Sequence, residues 1–188
     1  MNETDFTHPI AGGTMTDFFQ RVTSDQDPFK KLASFIPGFK GYVERENRRA
    51  ADKLMRDTIA HHFEELYKRL SALQADLISQ GGIEYIDDVE KAALQIRTFT
   101  DKVRNATYGY AGLFDSVKIN EDELEKIYAY DSAFFETADA IKNAIDTLEA
   151  TMGNTEGLPA VIRNLVTLSR QAVDAFDRRY EVFSGTPK

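Results

Sequence analysis

Between Leu124 and Met152, apolar side chains recur in alternating steps of three and four: Leu124, Ile127, Phe134, Ala138, Ile141, Ile145, Leu148 and Met152. The one break is Asp131, which stands where an apolar residue is due. A 3.5-residue period marks a helix that packs along its length against others. A carboxylate in that seam needs a partner, because an unpaired buried charge is strongly destabilising. The pattern implies an all-α protein with one polar layer in its core.

Three more segments read the same way. A long first helix is expected from near Pro37 or Gly38 to about Gln80, roughly 60 Å at the α-helical rise, with Gly81-Gly82 as its stop. Its stripe is Ile59, Phe63, Leu66, Leu70, Leu73 and Leu77, and the same face continued backwards carries Arg56, Asp52, Arg48 and Arg45. This helix therefore outruns the apolar core or enters a polar layer of it. A second helix, from about Glu84 to Thr107, places Ile86, Val89, Ala93, Ile96, Thr100 and Val103 at seam spacing. Asn120, with Glu123 three residues on, is an Asn-capped variant of the capping box that opens the third helix. Gly153-Asn154 closes it. The fourth runs from Leu158 to Phe183 and aligns Ile162, Leu165, Ala172, Phe176 and Arg179.

Short links at Gly81-Gly82 and Gly153–Gly157 suggest an elongated antiparallel up-down-up-down four-helix bundle with a long overhanging first helix. Residues 1–36 form a separate segment with short helices, expected at Thr14–Phe19 and from Pro28 onward. The bundle spans 37–184, and 185–188 is a frayed tail.

Levels counted from the turns put Asp131 at the height of Asp177–Arg179 on the fourth helix and Ala60–His62 on the first. Arg179 interrupts its own seam as Asp131 does. The two are expected to meet, with His62 at their side. One reading is a buried ion pair that fixes register; the other is a ligand-binding or catalytic layer.

Composition narrows the function classes. At 188 residues with 42% hydrophobic and 29% charged side chains, the chain suits one globular domain. Without cysteine there is no disulfide framework, thiol nucleophile or thiolate metal site. No uninterrupted apolar run approaches ~18 residues, and Met1–Phe6 has two acidic residues and no basic run. The expected location is the cytoplasm, or the periphery of a membrane. A net charge of −8 argues against general nucleic-acid binding.

That charge is uneven. Residues 120–156 hold ten acidic residues against Lys126 and Lys142, while Arg45, Arg48, Arg49, Lys53 and Arg56 cluster near Tyr42. The arginines could hold the acidic start of the third helix, Glu121–Glu125. Alternatively they form a surface for an acidic protein partner or anionic lipid.

Asp57, His61, Glu64 and Glu65 share a helical face, but it points away from Ile59, Phe63 and Leu66 and reads as solvated. A ferritin-like di-metal centre needs Glu-x-x-His on two helices. The histidines are His8, His61 and His62, and none completes that motif. No phosphate-cradling loop or catalytic triad can be assigned, and no cofactor or metal is expected.

Two stretches carry a resemblance: Phe35-Ile-Pro-Gly-Phe-Lys-Gly-Tyr-Val-Glu-Arg-Glu-Asn-Arg-Arg-Ala-Ala-Asp-Lys-Leu54 and Tyr108-Gly-Tyr-Ala-Gly-Leu-Phe-Asp-Ser-Val-Lys-Ile119. They resemble a family of bacterial helical proteins encoded beside membrane-scaffold proteins of the SPFH (band-7) type, over about residues 35–150. That family supplies no catalytic residue to transfer. It implies a membrane-associated assembly as partner. The expectation is a non-catalytic scaffold or adaptor, able to form a homo-oligomer. It would bind through the overhang, the Tyr108–Ile119 connection and aromatic anchors such as Phe18-Phe19, Phe35 and Phe39.

Overall fold

The computed structural model describes residues 34–36, 45–106, 121–153 and 156–179, and the side chains of all of these but 45–52 and 121–128. Every described element is helical: α1 Arg45–Ser79, α2 Ile86–Asn105, α3 Glu121–Thr151 and α4 Leu158–Arg178, with a 3₁₀ turn at Ile83–Tyr85. The short helices at Thr14–Phe19 and from Pro28, the Tyr108–Ile119 connection, Tyr42, Phe18-Phe19, Phe39 and the tail lie outside the described residues.

Local chemistry sets the ends. α1 closes in a Schellman motif: the Gly82 N–H donates to the Leu77 carbonyl at 2.9 Å and the Gly81 N–H to the Ile78 carbonyl at 3.1 Å. Gly81 takes φ +86°, a left-handed conformation that costs any L side chain. α2 carries Asp87 and Asp88 in its first turn and Lys102 and Arg104 in its last, both matched to the helix dipole. Pro159 sits in the first turn of α4.

Most of the stripe residues whose side chains are described lie in the core, Ile86 and Phe176 being only partly buried. Ile59, Phe63, Leu70, Leu77, Val89, Ile96, Val103, Phe134, Ile141, Ile145, Leu148, Ile162 and Leu165 are all buried. One layer draws a phenylalanine from each helix. Phe99 of α2 lies 4.0 Å from Phe63 of α1, 5.2 Å from Phe134 of α3 and 5.8 Å from Phe176 of α4, centroid to centroid.

α1 packs on α2, α2 on α4, α4 on α3, and α3 on α1. Phe135 of α3 meets His62 of α1, and further along both helices Arg69 reaches Asp146 and Glu149. α1 and α3 are therefore parallel neighbours. Because α1–α2 and α3–α4 are joined by short turns as hairpins, α2 and α4 are parallel neighbours too. Two antiparallel hairpins lie face to face, an arrangement distinct from a ring in which every neighbour is antiparallel.

Residues 34–36 also join the body. Phe35 stacks on Phe135 with centroids 4.6 Å apart and planes 4° from parallel, and Ile36 is buried in the main core. Phe35 is thus spent inside the fold and does not serve as an exposed anchor.

Candidate functional site

The polar layer is built where α3 and α4 cross. Asp131 fills a seam position of α3, and Arg179 follows the last residue of α4. The Arg179 Nε–H donates to Asp131 Oδ1 at 2.5 Å and its Nη2–H to Oδ2 at 2.5 Å. The side chains are 1% and 2% exposed. A two-point pair of this kind fixes both the distance and the orientation of the partners. One turn away, the Tyr130 hydroxyl donates to the Ala175 carbonyl, tying α3 to α4 a second time. Ser132 is buried and returns its hydroxyl to the Ala129 carbonyl of its own helix.

His62 does not belong to this layer. It is exposed and meets the edge of Phe135 at 5.5 Å. The level count was nearly right, but the face was not: His62 precedes Phe63 by about 100° of helix rotation, which carries it out to the α1–α3 rim.

The basic cluster divides. Lys53 is exposed, but Arg56 is only 6% exposed and so leaves the proposed partner or lipid surface. Its neighbour Met55 is fully buried, so the packed interior extends a turn beyond Ile59, and Arg56 enters it. Arg45, Arg48 and Arg49 stand on the first turns of α1. Taking His62 as level with Phe135 on the parallel α3, those turns stand level with the acidic opening turns of α3 near Glu121–Glu125.

Asp57, His61 and Glu65 are exposed, as the solvated reading requires. Glu64 accepts from Arg104 across the α1–α2 seam. That hydrogen bond, with help from Lys68, holds its carboxyl below the ordinary range. Among the described residues, no three His, Cys, Asp or Glu side chains converge to hold a metal.

A groove of about 380 Å³ opens along the α1–α3 seam, floored by Leu66 and Ala138 and rimmed by His61, His62, Glu65, Arg69, Asp139 and Lys142. Arg69 spans to Asp146 and Glu149, and Lys142 to Asp146 at 2.9 Å. Hydrogen bonds from Lys142 and then Arg69 hold the Asp146 carboxyl low. The i,i+4 spacing of Lys142 and Asp146 was visible in the sequence. Arg69 gave no such signal, because its partners lie 77 and 80 residues away.

Among the described residues, no helix is long and apolar enough to cross a membrane. Comparison with models of protein families, with curated proteins and with solved structures finds no match to this chain.

Proposed function

We propose that the protein is a non-catalytic helical scaffold or adaptor, an elongated four-helix bundle that binds a protein partner through one of its ends. One observation supports this reading above the others. α1 and α3 begin, and α2 and α4 finish, at the same end of the packed helices, while at the opposite end the described residues form the tight turn at Gly81-Gly82 and α3 is joined to α4 by a connection of six residues. The 44 residues before α1, the link between α2 and α3, and the residues after α4 all connect at that one end. α1 also extends there past the end of α2, which stops near the level of Ile59 judged from the Phe63–Phe99 and Tyr67–Arg97 contacts, with the opening turns of α3 alongside.

The polar layer supports the same reading, because the bonds between Asp131 and Arg179 give it a structural role. The resemblance to proteins encoded beside SPFH-type scaffolds suggests a membrane-associated assembly as the partner.

The test is a pull-down from the native host with the full chain, with a chain lacking residues 1–36, and with R45E/R48E/R49E. Co-sedimentation with phosphatidylserine vesicles at low and high salt runs in parallel. Specific capture by the full chain that both altered chains lose supports the adaptor. Salt-sensitive sedimentation with vesicles, without protein capture, replaces it with an anionic-membrane module.

A further inference from the structure

We propose that the α1–α2 turn, with Ile78 and Ile83 at its tip, is a docking surface for a basic amphipathic segment of a partner protein. Such a segment presents apolar side chains flanked by Lys or Arg. This goes beyond the adaptor reading, which places its partner at the other end of the helices.

The apolar half of the surface is made of side chains the fold does not use. Among the described residues four large apolar side chains are exposed, and two of them share this turn: Ile83 at 69% and Ile78 at 48%. The turn closes without them. Its bonds run from the Gly81 and Gly82 amides to backbone carbonyls, and the side chain packed beneath Gly82 is that of Leu77. Ile78 and Ile83 therefore offer a compact apolar spot to whatever meets the tip.

The charge around that spot says what it accepts. Residues 70–90 contain no Lys, Arg or His, while Asp76, Glu84, Asp87 and Asp88 stand within five positions of Ile78 or Ile83. All four are exposed, and no ion pair among the described residues takes up any of them. Asp87 and Asp88 also face the N-terminal dipole of α2, but its half charge leaves most of theirs uncompensated. An anionic lipid surface, a nucleic acid or the tip of a second copy is repelled here. A cationic segment is attracted, and its apolar residues gain the two isoleucines as anchors.

The probe is a synthetic fluorescent amphipathic helix of leucine and lysine, titrated by anisotropy into the full chain at low and high salt. I78S/I83S should weaken binding at least about ten-fold. D76N/E84Q should weaken it about three-fold or more at low salt, and less at high salt. D101N/D174N removes the same charge from exposed positions away from the tip and should leave affinity nearly unchanged. A peptide with serine in place of leucine should not bind. These substitutions are all on the surface, and a thermal melt of each variant matching wild type confirms the fold. No binding of the leucine–lysine helix by the wild type overturns the proposal. So does unchanged affinity in either tip variant, an equal loss in D101N/D174N, or equal binding of the serine peptide, which would reduce the contact to general charge attraction.

Discussion

Asp131 and Arg179 stand 48 residues apart in the chain and meet through two parallel hydrogen bonds, both side chains sealed from water. The pair joins the middle of one helix to the end of the next. It fixes the height of α4 on α3 more narrowly than apolar contacts alone, because a slip of one turn would break both bonds.

Removing one partner should therefore hurt more than removing both. Asp131→Ala should lower unfolding free energy by about 3–5 kcal/mol, since it takes a charged two-point partner away from a buried guanidinium. The double variant D131L/R179M should recover most of that loss, because a well-packed apolar pair is often neutral or stabilising. Urea denaturation of the two variants measures the difference. Broadened amide spectra in the double variant would show that the ion pair selects one register, while partner binding should survive.

Phe99 touches an aromatic ring from each of the other three helices. Phe99→Ala should cost about 3–5 kcal/mol, and Phe99→Leu clearly less. A thermal melt of each separates the two.

The α1–α2 turn offers a pair of neighbouring glycines with different reasons to be glycine. At Gly81 a Cβ would meet nothing within 4 Å, so Gly81→Ala should cost about 1–2 kcal/mol through the left-handed backbone alone. At Gly82 a Cβ would fall 2.5 Å from Leu77 Cδ1. Gly82→Ala should cost about 1–3 kcal/mol by displacing that buried side chain. Only the second loss should shrink in a Leu77→Ala background, which chemical denaturation of the double variants would read.

Acid should loosen the seams between helices. The Glu64 and Asp146 carboxyls are held below their ordinary range by Arg104 and by Lys142 with Arg69. A carboxyl lowered on folding contributes stability above its unfolded pKa and loses it as pH falls through the folded value. Stability should therefore decline below the ordinary carboxylate range near about pH 4. E64Q/D146N should show a shallower decline in urea midpoints between pH 6 and pH 3. Both carboxyls are substantially exposed, so the effect should be small and weaken in high salt.

The sequence made the Asp131–Arg179 pair legible because each residue interrupts an otherwise regular stripe, and turn positions gave their heights. Helix limits were legible where capping chemistry is strong: Gly81-Gly82, Asn120 and Leu158 all fall within a residue or two of an observed boundary. The parallel pairing of α1 with α3 was not legible, since it depends on the path of residues 107–120. The burial of Phe135 is not legible for a related reason. It lies off the α3 stripe, on a flank where α1 and Phe35 meet it. Arg56 sits on the backward continuation of the α1 stripe, a place the sequence leaves open between polar layer and surface, and the burial of Met55 beside it shows the interior reaching that turn.

Because Arg45 and Arg179 lie at the same end of the packed helices, tension applied between those two residues would enter the four helices there. The helices would splay open from that end like a zipper, without sliding past one another along their full length. As a mechanical link, the module would yield at low force, contact by contact.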